Sequence, residues 1–245
     1  MRIGPVERNL RSKREAGEKL VFLLLDPEKN IKVDCFKPVI EAGVDAIFVG
    51  GSLNITTYDM DEYITSIKEH YDAPVVIFPG GLNTLSKHAD AILFMSLLNS
   101  LDPYWIIGVQ VVAAPLIRKL GLEVIPSAYI IYGHGGAAGH IGRALPIPYE
   151  QPYITAAYAL AAEMLGMRLI YLEAGSGSPS PIPPEAVSIV AKTITDPLLV
   201  VGGGIREPSI ARQFVDAGAD AIVIGTIAER DPEKAAKIVS TVKRR

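Results

Sequence analysis

The chain has 245 residues, 49% of them hydrophobic and 21% charged, with a formal net charge of -3. That length suits one α/β barrel whose core needs no disulfide or structural metal. It carries no basic stripe of the kind that binds nucleic acid by neutralising phosphates. Cys35 is the only cysteine, which excludes an internal disulfide and favours a reducing, cytoplasmic setting.

The first residues, MRIGPVERNLRSKREAGEK, lack the apolar core of a signal peptide. No later stretch is long and apolar enough to span a membrane. From there, short apolar runs recur at 21–26, 46–51, 75–80, 91–96, 124–132, 169–174, 198–203 and 221–225. Such runs suit parallel strands buried on both faces. Their number predicts a (β/α)8 TIM barrel occupying 1–245 as a single domain. Cys35 falls where the helix after the first run should begin and is read as a packing residue. The segment AGVDAIFVG, starting at Ala42, returns as AGADAIVIG from Ala217, and His88-Ala-Asp-Ala-Ile-Leu-Phe is a weaker third copy. Repetition of one βα unit supports a barrel over an open sheet.

Only ten residues, 81–90, separate the third and fourth runs, so the helix after strand three is shortened or missing. The outer wall is thin there, either by plain shortening or to leave a groove for a long apolar ligand. After the fourth run, Asp102-Pro103 opens a helix that reaches Lys119, is kinked by Pro115 and ends at Gly121. Tyr104 and Trp105 near its start are read as core, although an aromatic there could set the depth of an apolar groove. Further helices are expected over 151–165, 184–193, 208–217 and 231–242. Lys243, Arg244 and Arg245 then form a solvated, cationic helix end.

Barrel chemistry belongs at the strand C-termini, with phosphate beneath the last two loops. Strand seven ends in Gly202-Gly203-Gly204-Ile205-Arg206, and strand eight in Gly225-Thr226. Glycines let backbone N–H groups approach phosphate oxygens, although tight turns alone would also explain them. Strand six ends in Tyr171-Leu172-Glu173-Ala174-Gly175-Ser176-Gly177-Ser178. Alternation places Tyr171, Glu173 and Gly175 on one side. A carboxylate facing the barrel mouth makes Glu173 the candidate general base; a salt-bridged or capping Glu is the alternative. Asp26 and Ser52, ending strands one and two, suit Mg²⁺ together with substrate phosphates, while a helix cap would equally explain Asp26. His134 and His140 lack a third ligand for zinc. Their glycine-rich loop suits a lid, with Arg143 as a candidate diphosphate contact. Self-association through outer helices is expected, with Tyr149 and Tyr153 as exposed aromatics.

FLLLDP (22–27), VGGS (49–52), VVIFPG (75–80), YLEAGSGS (171–178), VGGGIR (201–206) and IGT (224–226) together resemble the geranylgeranylglyceryl phosphate synthase family. The likeness runs over nearly the whole chain. It implies transfer of a geranylgeranyl group from geranylgeranyl diphosphate to the 3-hydroxyl of sn-glycerol 1-phosphate, an early ether bond of archaeal membrane lipids. The resemblance implies that Asp26 and Ser52 hold Mg²⁺ against the diphosphate. It likewise implies that Tyr171, Leu172, Glu173, Ala174, Gly175, Ser176, Gly177, Gly202, Gly203, Gly225 and Thr226 cradle the glycerol phosphate, with Glu173 deprotonating or orienting the hydroxyl. His140 and Arg143 depart from the family's GGxxGWxGDA-like loop. The rival readings are a relative using a longer prenyl diphosphate, a sugar-phosphate isomerase or aldolase, and a non-catalytic phosphate-binding subunit. Lys29 and Lys32 lie beyond strand one, so no Schiff-base lysine stands at a strand end.

Overall fold

The computed structural model describes residues 2–51 and 55–244. Eight parallel strands pair in chain order, and the last closes onto the first, completing a TIM barrel. They are β1 (Leu20–Leu25), β2 (Ala46–Val49), β3 (Val75–Ile77), β4 (Ala91–Leu97), β5 (Glu123–Ile131), β6 (Leu169–Glu173), β7 (Leu198–Gly202) and β8 (Ala221–Ile224). Around them run α1 (Pro5–Glu15), α2 (Lys37–Glu41), α3 (Thr57–His70), α4 (Val109–Leu120) and α5 (Gly136–Ile141). The circuit continues with α6 (Pro152–Met164), α7 (Pro184–Thr193), α8 (Pro208–Asp216), α9 (Thr226–Arg230) and α10 (Pro232–Lys243).

Strand alternation sorts the apolar residues into two cores. Phe22, Phe48, Tyr129, Tyr171 and Val200 fill the barrel, whereas Leu23, Ile47, Ile130, Leu172 and Val201 face the helices. Each strand can be apolar throughout because both faces are covered.

The repeated Asp of the sequence echo has a structural cause. Asp45, Asp90 and Asp220 each stand just before a strand and accept from the first residues of the preceding one. Their carboxylates take the N–H groups of Val21 at 2.8 Å, Val75 at 2.8 Å and Leu199 at 2.9 Å. Their own N–H groups donate back to the carbonyls of the same three residues. Each Asp thereby sets the register of one pair of neighbouring strands.

After β3 only a 3-10 turn, Leu82–Thr84, occupies the place of an outer helix, so the thin wall is real. Pro115 sits inside a helix that runs on to Leu120, and Gly121 ends it in the left-handed region at φ 72°. The departure from α geometry lies upstream, in a π turn at Tyr104–Gly108. Cys35 is exposed, so it does not serve the packing role expected of it.

Helix α1 was not foreseen from sequence. It covers the N-terminal end of the barrel, where Val6 and Leu10 join the interior core. The Glu123 carboxylate at the start of β5 accepts the N–H groups of Val6 and Glu7, both at 2.8 Å, satisfying the helix start. Glu7 is fully buried and takes Arg11 Nε at 2.9 Å and Arg168 Nε at 2.7 Å. Removing one member of a buried pair leaves an uncompensated charge. Glu7→Ala is therefore expected to lower unfolding stability by about 3–5 kcal/mol, read as a shift in the urea midpoint.

Candidate active site

One cavity of about 850 Å³ opens at the C-terminal ends of the strands. Its polar end is lined by Asp26, Glu173, Ser176, Gly177, Gly225 and Thr226, which come from β1, β6 and β8 and the loops after them. The other end is apolar and runs past Leu82, Leu85 and Phe94 to Trp105, Ala113 and Ile117. The thin wall after β3 thus opens into a groove between the barrel and α4.

Glu173 ends β6 pointing inward, almost wholly buried, above a floor of rings. Phe78, Tyr129 and Tyr171 meet edge to face with centroids 5.3 to 5.7 Å apart. Its Oε1 accepts the Gly175 N–H at 2.6 Å, and the Tyr171 and Tyr129 hydroxyls also hydrogen-bond the carboxylate. Burial pushes the Glu173 carboxyl above its ordinary value, and the three donors oppose this without reversing it. Among the described residues no cation pairs with it, which removes the salt-bridge alternative. A buried carboxyl with a raised pKa and no cation beside it, facing a cavity, is a candidate for proton transfer.

The loops after β6, β7 and β8 come together around Glu173, and those after β6 and β8 line the cavity. Ser176 Oγ and Thr226 Oγ1 lie 3.1 Å apart, bridging the loops after β6 and β8. Among the described residues, the N–H groups of Ser176, Gly177, Gly203 and Thr226 have no protein partner, so they are free to meet an anion. Gly203, at φ 85°, lies so close to Glu173 that a Cβ would meet its Oε1. Gly202 similarly abuts the Tyr171 hydroxyl. The remaining sequence candidates divide by direction. Leu172 and Ala174 are fully buried with side chains toward the helices, and the Ala174 N–H is spent on Gly202 O at 3.2 Å. Their contribution is to hold the strand end. Tyr171 and Gly202 lie beneath the cavity as support, and the Gly175 N–H is taken by Glu173.

Asp26 lines the cavity mouth and also caps the turn after β1, accepting the Glu28 N–H at 3.0 Å. The cap expected of this residue is therefore present. Burial raises its carboxyl; the Glu28 N–H lowers it, and the Glu28 charge raises it again. Ser52 lies outside the described residues. Among the described residues no set of three His, Cys, Asp or Glu side chains could hold a metal ion. Asp26 offers a carboxylate at the cavity mouth, the type of donor Mg²⁺ takes.

Sequence reading missed Tyr129, Phe78 and Glu229. Tyr129 was available from alternation along β5, since it pairs in register with Tyr171. Glu229 on α9 lines the mouth beside Asp26, and burial raises its carboxyl. Nothing in its sequence neighbourhood marks it. The loop after β5 behaves differently from expectation. His134 and His140 are exposed, and Arg143 turns away to Asp102 at 3.4 Å. The loop's cavity contacts are apolar, from Ala137, Ala138 and Ile141.

The PcrB family model matches residues 13–243. The chain belongs to that family. Similar proteins match over nearly the whole chain. A geranylgeranylglyceryl phosphate synthase of Hyperthermus butylicus is 63% identical over 236 residues, 96% of this chain and 98% of the relative. One from Saccharolobus solfataricus is 49% identical over 98% of this chain and 95% of its own. Among solved structures, (S)-3-O-geranylgeranylglyceryl phosphate synthase of Thermoplasma acidophilum, in complex with the substrate sn-glycerol-1-phosphate, aligns over 100% of both chains. Its TM-score is 0.92 at 40% identity. No helix among the described residues is long and apolar enough to cross a membrane.

Proposed function

We propose that this chain is a cytoplasmic, single-domain prenyltransferase that moves a geranylgeranyl group from geranylgeranyl diphosphate to the 3-hydroxyl of sn-glycerol 1-phosphate. One observation carries the reading: a single cavity joins an anion cradle and a buried, unpaired carboxylate to a long apolar arm. A sugar-phosphate isomerase or aldolase would need the first two and has no use for the third. Full-length likeness to a synthase described with glycerol phosphate bound supports the same choice.

The roles follow from placement. The free N–H groups at Ser176, Gly177, Gly203 and Thr226 hold the phosphate, fixing the glycerol beneath the diphosphate site. Glu173 accepts the proton of the 3-hydroxyl as its oxygen bonds to C1 of the prenyl chain and the C1–oxygen bond to diphosphate breaks. Tyr171 and Tyr129, kept protonated by burial and by the adjacent Glu173 charge, fix the orientation of that carboxylate. The apolar arm holds the chain and excludes water that would otherwise intercept C1. Asp26, with Ser52, would hold Mg²⁺, which neutralises charge on the leaving diphosphate when bound. Exposed apolar residues on α6, including Tyr153 and Met164, favour a homo-oligomer. Tyr149 does not belong with them, because its hydroxyl donates to Ser180 O at 3.1 Å.

A transfer assay with labelled sn-glycerol 1-phosphate and prenyl diphosphates of graded length tests the proposal. Extractable product that peaks with the geranylgeranyl donor and disappears on chelation of divalent ions is the expected result. A peak with a longer donor would mark a related prenyltransferase. Glycerol phosphate binding without transfer from any donor would return the case to a sugar-phosphate enzyme.

A further inference from the structure

Two buried polar side chains, one in β4 and one in α4, flank the segment leading into α4, and the proposed reaction uses neither. Ser96, near the end of β4, donates from Oγ to Ile106 O at 2.6 Å. Gln110, in the first turn of α4, donates from Nε2 to Met95 O at 2.5 Å and Trp105 O at 3.3 Å. Both residues are 6% exposed, and Gln110, whose Oε1 has no partner among the described residues, also lines the cavity. Polar groups in such a place are costly unless their bonds serve something. Here they bind the carbonyls of one irregular feature, the π turn Tyr104–Gly108, whose Tyr104 O takes the Val109 N–H five residues on. Gln110 also ties the turn back to β4.

The turn has a geometric consequence. Trp105, Val109, Ala113 and Ile117 all line the apolar arm of the cavity. Four residues of α-helix overshoot one turn by about 40°, so such a row would drift by about 120° over its three steps. A π turn takes more residues per revolution and winds the N-terminal end of the row back. Trp105 thereby stays over Val109, in the wall of the arm, while Tyr104 packs edge-on against it at 5.1 Å and faces outward.

Resting on the proposed function, we propose that Ser96 and Gln110 are positioning residues that set which prenyl chain length the arm admits. They do so by holding the π turn that keeps Trp105 in its wall. Without their bonds the turn relaxes toward regular helix, Trp105 leaves the row and the arm changes shape.

Trp105 is the only tryptophan, so its emission reports this turn without any need for turnover. Ser96→Ala removes one bond at little cost in volume, and Gln110→Met keeps the shape of the side chain without its donor. In each variant the emission should move to longer wavelength, and its change on adding geranylgeranyl diphosphate alone should shrink. The kcat/KM ratio between geranylgeranyl diphosphate and the donor one isoprene longer should shift by about tenfold. KM for glycerol phosphate should stay at the wild-type value. Thermal melting confirms that each variant folds, and Ser96→Ala serves as the milder case if Gln110→Met does not. Unchanged emission with an unchanged donor ratio would overturn the inference, as would an equal loss of turnover with every donor. A wild type that transfers no prenyl group would instead remove the proposed function. A wild type that transfers normally, beside variants with its emission and preference, would remove only this inference.

Discussion

Glu173→Gln will lower turnover by about 10²–10⁴-fold, the range associated with loss of a positioned general base. It should leave glycerol phosphate binding nearly intact, because the free N–H groups of the cradle do not depend on the charge. The amide keeps an oxygen for the Gly175 N–H, and its NH2 can donate to a tyrosine hydroxyl that now accepts, so the rings of the floor need not move. Two pH effects separate this role from a structural one. The wild-type carboxyl is raised from its ordinary value of 4.5, chiefly by burial, so the acid limb of kcat/KM should lie above that value. The limb should be absent from the residual activity of the variant. Stability changes in the opposite sense. A carboxyl whose folded pKa exceeds its unfolded one favours the folded state most below the unfolded pKa. That contribution is lost as pH rises through the folded pKa. Glu173→Gln removes this titration, so the melting temperature of the variant relative to wild type should rise as pH passes upward through the folded pKa. A variant that lost activity together with stability would mean that Glu173 is part of the scaffold and not the base.

The sequence was most legible where one physical constraint dominated. A strand covered on both faces must be apolar throughout, and glycine or a polar residue must end it at a functional loop, so all eight strands could be read as runs. Helix α7 was placed at its observed bounds because Pro184 starts it and the apolar spacing is regular. The inward placement of Glu173 at the cavity could be read from alternation along β6. Other features gave weaker local signals. Helix α1 shows only Val6 and Leu10 at helical spacing among charged residues, and its place is decided by Glu123 and Arg168, distant in sequence. Tyr129 belongs to an apolar run in which no single residue stands out, and its meaning comes from its register with Tyr171. The π turn at Tyr104–Gly108 has no sequence signature, since the bonds that hold it come from Ser96 and Gln110 outside it. Arg143 was misplaced for a related reason. A cation in a glycine-rich loop suggests an anion site, but its own left-handed backbone, at φ 50°, and the nearby Asp102 turn it outward.

Gly203→Ala should damage the site through two effects that reinforce each other. The residue stands at φ 85°, where an alanine costs about 1–2 kcal/mol. A relaxed backbone would also rotate its N–H away from the anion. The new Cβ, moreover, has no room: it would lie 2.9 Å from both Ala174 N and Gly175 N and against Glu173 Oε1. Of these, the Gly175 N–H orients the carboxylate, so strain there reaches the base as well as the cradle. KM for glycerol phosphate should rise by more than about tenfold, as expected when charge-assisted bonds to an anion are lost. Turnover should fall in the same variant because Glu173 is displaced. Gly17→Ala supplies the comparison, since Gly17 is equally left-handed at φ 82° but has nothing within 4 Å of the new methyl. It should lose the same increment of thermal stability and keep both kinetic constants. If Gly203→Ala matched it, with stability lowered and KM unchanged, the glycine would be a turn former only. The anion cradle would then have to be built without the loop after β7.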